Sequence, residues 1–259
     1  MLRSRHQSDK SEFLVRTLGL RLSKGHVIES HAHSWGQVIF AANGVMQIDA
    51  EDSRWVVPPM RCVWVPPDVG HSILMISETV MRTIYINPTS AGGLPNRCKV
   101  LKVSGLLREI ILECVRLSML SGSEPTHVHL ASVLLDQLAA ADEISLEIRL
   151  PNDPRAVRLA DLISADASNK APLGELARAV GASPRTLERI FVRETGLSIG
   201  RWRQQARLML AVRLLVEGNS VGEAAFASGY ESPSAFIAMF RSETGTTPGQ
   251  YIRSLRIDA

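Results

Sequence analysis

Two hydrophobic rhythms divide this chain. From Phe13 to about Ile86, strand-sized apolar runs alternate with turn residues: LVRTLGLRL, WGQVIFAANG, VMQIDAED, SRWVVPP, RCVWVPPDVGH, SILMIS and VMRTIYINP. They are rich in Val, Ile, Trp and Tyr, and their even spacing predicts a small barrel or jelly roll. The stretch Asn87 to Lys99, NPTSAGGLPNRCK, gathers Pro, Gly, Ser and Asn and reads as the loop leaving that unit. Beyond it the period changes to that of a helix. Ser104–Met119 repeats Leu107, Ile110, Ile111, Cys114 and Leu117, and His127–Ala141 repeats Leu130, Val133, Leu134 and Leu138. Each predicted helix carries an apolar stripe that must be covered, by the β unit or by a second copy of the chain. Residues 1–12 read as a tail and 146–157 as an extended linker, with a helix from Asp153-Pro154 to about Ala165.

Residues 173–196 predict two short helices around a tight turn. Leu173, Leu176, Ala177 and Val180 fall on one helical face, and Gly181 can take the positive φ at which that helix stops. Ser183 stands as an N-cap with Pro184 at the first helical position, where its missing N–H costs nothing. Leu187, Ile190 and Phe191 form the inner face of the second helix, and Arg185, Glu188, Arg189 and Arg193 the outer one. An outward helix bearing Arg fits a helix-turn-helix, whose second helix enters the major groove, where Arg matches the guanine edge, and on this segment alone an ordinary αα-hairpin with a solvated charged face fits equally well.

The same pattern returns at 220–245. Ala177 matches Ala225, Gly181 matches Gly229, Phe191 matches Phe240, and Glu194-Thr195-Gly196 matches Glu243-Thr244-Gly245, with one residue added after the glycine turn. Between the copies, Ile199–Val216 reads as one long helix that spaces two reading heads by about one DNA turn, ~34 Å. A closing Gly245-Thr246-Thr247-Pro248-Gly249-Gln250-Tyr251-Ile252-Arg253 follows. These residues resemble the AraC/XylS family of bacterial transcription regulators, whose signature ends in G-x-x-P-x-x-Y-R, here with one residue added before the Arg. The resemblance implies a double-stranded DNA operator as partner, RNA polymerase if the protein activates, and a homodimer joined through helices such as 104–119 and 127–141. Expected DNA contacts are Pro184, Arg185, Thr186, Glu188, Arg189 and Arg193 in the first head. In the second they are Ser232, Ser234, Ile237 and Arg241. The second head lacks Arg at its central positions, so the first is expected to supply most base readout. Arg201, Arg203, Arg207 and Arg213 include candidates for phosphate contact.

The net charge of +3 in 259 residues excludes binding by a global field, so the basic residues must act locally. No apolar run approaches the ~18–20 residues of a membrane span, and the polar start MLRSRHQSDKSEF shows no secretory signal. Cys62, Cys98 and Cys114 are scattered, with no CxxC, and read as free thiols. The expected location is the cytoplasm.

Inside the β region lie Gly25-x5-His31-x-His33-x3-Gln37-x6-Gly44 and Pro66-x4-His71. They resemble the two cupin motifs, which implies an effector-sensing domain. In metal-binding cupins the positions of His31, His33 and His71 are ligands, and a Glu stands where this chain has Gln37. Residues i and i+2 of a strand face one side, and imidazole suits Zn, Ni, Fe or Cu. Trp35, Trp64 and Tyr85 are candidates for the pocket lining. The expected architecture is α+β: a cupin-like barrel over 1–98, linking or dimerisation helices over 99–150, and a double helix-turn-helix domain over 151–259. The expected function is a sequence-specific transcription regulator, activator or repressor, that senses a small molecule or metal and is not an enzyme. The alternative is a metal-dependent cupin oxygenase or isomerase fused to a DNA-binding domain.

Overall fold

The structure is a computed structural model that describes residues 12–143, 147–169 and 171–256. Apart from Glu12, the expected tail lies outside the described residues. The strands in chain order are β1 (Phe13–Leu22), β2 (Val27–His31), β3 (Gly36–Asn43), β4 (Met46–Ala50), β5 (Ser53–Val57), β6 (Arg61–Val65), β7 (His71–Met75), β8 (Thr79–Ile86), β9 (Lys99–Lys102), β10 (Met119–Ser121) and β11 (Glu147–Arg149). The helices are α1 (Gly105–Leu117), α2 (Pro125–Ala140), α3 (Pro154–Ala165), α4 (Leu173–Ala179), α5 (Pro184–Thr195), α6 (Ile199–Val216), α7 (Val221–Ala227), α8 (Pro233–Thr244) and α9 (Pro248–Arg256). Two compact units result, one of Met1–Met46 and Pro59–Ser145, the other of Gln47–Pro58 and Leu146–Ala259.

The first unit is built on an antiparallel sheet of order β10-β1-β8-β3-β6-β9. Its register aligns Arg16, Tyr85, Gln37 and Val65 in one cross-strand row, and residues opposite one another share a face. The neighbouring positions point the other way. Val38, Phe40, Trp64, Ile84 and Ile86 form a core with Leu107, Ile110, Ile111 and Cys114 of α1 and Ala131, Leu134 and Leu138 of α2. The sheet therefore covers most of the two apolar stripes, while Val133 of the α2 stripe stays exposed. Leu107, Ile111 and Leu134 are wholly buried, each stabilising the unit by roughly 1.5–3 kcal/mol.

The expected closed barrel is not found among the described residues. The six-stranded order ends on two short edges, β9 and β10, and the second of these comes from the segment between the helices that cover the sheet. In the same unit β2 pairs with β7, and a register irregularity after Ile28 brings His31 opposite His71.

In the second unit, β11 pairs antiparallel with β5, so the segment expected as a linker is partly a strand. The seven helices α3 to α9 follow. Helix α6 is the scaffold, with Trp202, Leu208, Met209, Ala211, Val212 and Leu215 buried along it. At 1.5 Å per residue its 18 residues span roughly 27 Å. The Trp202 ring meets Phe191 of α5 edge-on at 5.7 Å and donates Nε1–H to the Arg149 carbonyl at 2.7 Å.

Candidate functional site

The two heads are set by the same local chemistry. In the first, Ser183 caps α5 by accepting from Thr186 N at 3.1 Å, Pro184 takes the first turn, and Gly196 closes the helix at φ 75°. In the second, Ser232 accepts from Ala235 N at 3.3 Å, Pro233 takes the first turn, and Gly245 closes α8 at φ 77°. Leu187, Ile190 and Phe191 anchor α5, and Phe236, Met239 and Phe240 anchor α8.

The outward faces differ. On α5, Pro184, Arg185, Arg189 and Arg193 are exposed and Thr186 is half-buried. Arg185 and Arg189 have no ion-pair partner among the described residues, whereas Arg193 pairs with Glu194 at 2.5 Å. Glu188 points elsewhere: its Oε2 accepts from Ile199 N at 3.2 Å and so caps the scaffold helix. On α8, Pro233, Ser234, Ala235, Ala238 and Arg241 are exposed, Ser232 and Ile237 half-buried. The outer face of α8 is thus small and nearly uncharged.

The repeated Glu-Thr-Gly has a physical reason that spacing alone does not reveal. Thr195 Oγ1 donates to the Phe191 carbonyl and Thr244 Oγ1 to the Phe240 carbonyl, each at 2.8 Å. Glu194 Oε2 accepts from the backbone N–H groups of Asn152 at 2.8 Å and Asp153 at 3.0 Å, just ahead of α3. Glu243 Oε1 accepts from Arg201 at 2.9 Å and Gln204 at 3.0 Å in the first turns of α6. Each Glu ties the far end of an outward helix to the helix that precedes its head. Arg201 and Arg207, candidates for phosphate contact, are both engaged within the protein.

In the first unit, His31, His33 and His71 each offer one nitrogen within 4.8 Å of the others. Strand β2 supplies His31, β7 supplies His71, and His33 lies just past the end of β2. Every ring is fixed from behind by a main-chain carbonyl. His31 Nδ1–H donates to Glu29 at 2.8 Å, His33 Nδ1–H to Trp35 at 2.6 Å, and His71 Nδ1–H to Val69 at 3.0 Å. Such contacts fix the tautomer and leave Nε2 as the lone-pair nitrogen. His71 Nε2 is buried without a hydrogen-bond partner. Burial pushes His71 down to about 4, the Val69 carbonyl opposes this, and the neighbouring histidines add to it, so the ring is neutral near pH 7.

Gln37, 2% exposed, places Oε1 2.8 Å from His33 Nε2, and its Nε2 donates to Thr83 Oγ1 at 2.7 Å. Both ring nitrogens of His33 thus face acceptor oxygens, the Trp35 carbonyl and Gln37 Oε1, an arrangement that suits an imidazolium donating to both or a cation held between Nε2 and Oε1. Turning the amide end for end would instead make the pair a hydrogen bond to the neutral ring. The Tyr85 ring lies edge-on to His33 at 5.1 Å, and burial raises its phenol above the ordinary range against the Thr83 contact. Trp35 is buried beneath the Arg16 guanidinium, 4.7 Å from its ring. Trp64, by contrast, is on the helix-covered face. Its Nε1–H donates to the Pro95 carbonyl at 2.7 Å, and its ring fills the space where a Cβ on Gly36 would fall, at 2.1 Å. It does not line the histidine site.

The three cysteines are free and buried. Burial pushes the Cys62 and Cys114 thiols up to about 12, so they lack thiolate character. No helix among the described residues is long and apolar enough to cross a membrane.

Comparison with known proteins bears on both units. Residues 20–152 match the AraC-like ligand binding domain, and residues 176–254 match a helix-turn-helix domain family. The chain is 36% identical over 225 residues to the HTH-type transcriptional regulator NimR of Escherichia coli (strain K12), covering 87% of this chain and 82% of that one. It is 21% identical over 262 residues, 90% of each, to the HTH-type transcriptional activator RhaR of Klebsiella pneumoniae. Among solved structures, ToxT from Vibrio cholerae O395 is similar with 14% identity, 93% of this chain and 98% of that one covered, and a TM-score of 0.41.

Proposed function

The chain belongs to the AraC family of transcription regulators, with a ligand-binding domain and a helix-turn-helix DNA-binding domain, and from that premise we propose how each part works. The first head reads base edges through Arg185 and Arg189, two exposed guanidinium groups of α5 that have no ion-pair partner among the described residues. The second head contributes shape and methyl contacts through Ser234, Ile237 and Ala238, and phosphate contact through Arg241.

The effector side of the proposal rests on one observation: three histidines that converge while all three Nδ1–H groups are held by main-chain carbonyls. This donor set fits a borderline divalent ion such as Zn, Ni, Fe or Cu, with His31, His33 and His71 as nitrogen ligands and Gln37 Oε1 beside them. When bound, such an ion supplies a fixed positive charge and a Lewis-acid centre for an effector. Gln37 is an amide and cannot take a proton as a Glu would, which supports sensing over turnover. Tyr85 offers a protonated phenol at the edge of the same site. An effector shifts operator affinity only by as much as it prefers one state of the protein.

Homodimerisation is part of the proposal. The outward sides of α1 and α2 expose Leu106, Val128 and Val133, which supports an interface there. Cytoplasmic location, and contact with RNA polymerase if the protein activates, complete the reading. The experiment is operator protection with and without added Zn(II) and candidate small molecules. A change in protected length or affinity that His71→Ala abolishes supports metal-linked sensing. Identical protection in all conditions removes the metal from the reading and leaves the DNA-binding part standing.

A further inference from the structure

The second turn is one residue longer than the first: Gly181-Ala182-Ser183-Pro184 against Gly229-Tyr230-Glu231-Ser232-Pro233. Both turns make the same backbone bonds, Ala182 N to the Ala177 carbonyl and Tyr230 N to the Ala225 carbonyl, each at 3.0 Å. The additional residue is therefore not needed to make the turn. The surroundings of the two glycines differ. A Cβ on Gly181, at φ 71°, would meet nothing within 4 Å. A Cβ on Gly229, at φ 82°, would lie 3.0 Å from Ser168 Cα, 3.2 Å from Ser168 O and 3.1 Å from Arg207 Nη2. The second turn is docked at its glycine, whereas the first has open space at its glycine and is held by Arg158 Nη2 at the Val180 carbonyl, 3.2 Å away.

What it docks on is the loop that leads into the first head. Asp166 Oδ1 holds that loop by accepting from Ser168 N at 3.1 Å and Ser168 Oγ at 2.6 Å, and Asn169 Oδ1 accepts from Ala171 N at 2.7 Å. Arg207, midway along α6, closes the junction. Its Nε–H donates to the Ala167 carbonyl at 2.9 Å, and its guanidinium carbon lies 5.8 Å from the Tyr230 ring centroid. Tyr230 in turn meets Phe236, in the buried face of α8, at 5.6 Å. A continuous path runs from the entry of the first head, through one guanidinium, to the inner face of the second outward helix.

We propose that Arg207 and Tyr230 form a clasp that sets the angle and distance between the two heads, so that Arg207 is a positioning residue for operator spacing and not a phosphate contact. The guanidinium directs Nε–H to one carbonyl while its carbon lies over a ring, a fixed two-point geometry that Lys does not reproduce. Removing the clasp leaves each head folded on its own Phe anchor and held by its Glu tie, but loosens the angle between them. The inference rests on the reading that both heads engage one operator together.

The test uses the full chain and an operator selected from random duplexes by that chain, with versions carrying one or two added base pairs between the two contacted segments. Wild type is expected to lose at least tenfold in affinity on the altered spacings. Arg207→Ala, Arg207→Lys and Tyr230→Ala are expected to discriminate less than threefold, and the Arg207→Ala/Tyr230→Ala pair no less than either alone, since both residues belong to one contact. Circular dichroism and thermal melts of each variant register any loss of fold, and Arg207→Lys keeps the charge as a second, milder variant. Retention of wild-type spacing discrimination by both Arg207 variants overturns the clasp. A loss for Arg207→Ala that is equal on all spacings, with a salt slope lower by about one and recovery in Arg207→Lys, identifies a phosphate contact instead. If wild type itself ignores spacing, the two-headed reading fails before the clasp is reached.

Discussion

Arg201 donates to Glu243 across 2.9 Å, and this contact joins the start of the scaffold helix to the end of the second outward helix. Its counterpart in the first head is Glu194, which holds the backbone N–H groups of Asn152 and Asp153. The duplicated sequence thus preserves a duplicated tie, with main-chain donors in one copy and a guanidinium in the other.

The first tie predicts an acid limit. Glu194 is held below the usual carboxylate range by Arg193 first, then by the Asp153 and Asn152 backbone donors. A depressed folded value means the contribution is fully present above the unfolded value of about 4.3 and is lost as the pH falls through the folded one. Urea denaturation at pH 7 and pH 3.5 measures this. Glu194→Gln is expected to be less stable than wild type at pH 7, with the gap closing at the lower pH. A pH-independent gap would mean that the carboxylate charge plays no part.

The histidine site predicts metal-linked stability. Co(II) or Zn(II) titration of the chelator-treated protein is expected to saturate near one equivalent per chain and to raise the melting temperature, because a ligand that binds only the folded state stabilises it. His71→Ala removes a buried ligand nitrogen and is expected to weaken binding at least tenfold. Affinity should also fall as the pH drops, because the ligand nitrogens must be unprotonated. Equal uptake by wild type and His71→Ala would move the ion elsewhere.

Cysteine chemistry is expected to be silent. Cys62 and Cys114 are buried, with thiols pushed up to about 12. A thiol reagent should label these positions only on unfolding, and mild oxidation should leave operator affinity within twofold. Rapid labelling of either residue in the native protein would contradict their burial.

The helix-turn-helix pair was legible because its signals are local. Ser183 and Ser232 cap, Pro184 and Pro233 start, and Gly196 and Gly245 stop their helices through bonds within a few residues. The histidine cluster was legible through its resemblance to a known motif, although His33 lies beyond the strand on which i, i+2 logic placed it. What the chain concealed depends on partners distant in sequence. An apolar stripe states that Leu107 and Leu134 need cover but not that the cover is the sheet of Val38 and Ile84. Residues 147–149 look like a linker until β5 is found beside them. Trp64 and Val65 face opposite sides of one strand, so a pattern that is rich in both could not tell pocket from core. Glu188 reads as an outward charge and instead caps α6, because the helix it serves begins eleven positions later.

We infer that Arg185 and Arg189 of the first head read the operator sequence. The most direct measurement is the affinity of wild type and Arg189→Ala for a selected operator and for a scrambled duplex at one fixed salt concentration. Arg189→Ala is expected to lose about 1–3 kcal/mol, roughly 5- to 150-fold, on the operator and little on the scrambled duplex, with sequence preference relaxed at the position it reads. An unchanged specific affinity, or an equal loss on both duplexes, would contradict it.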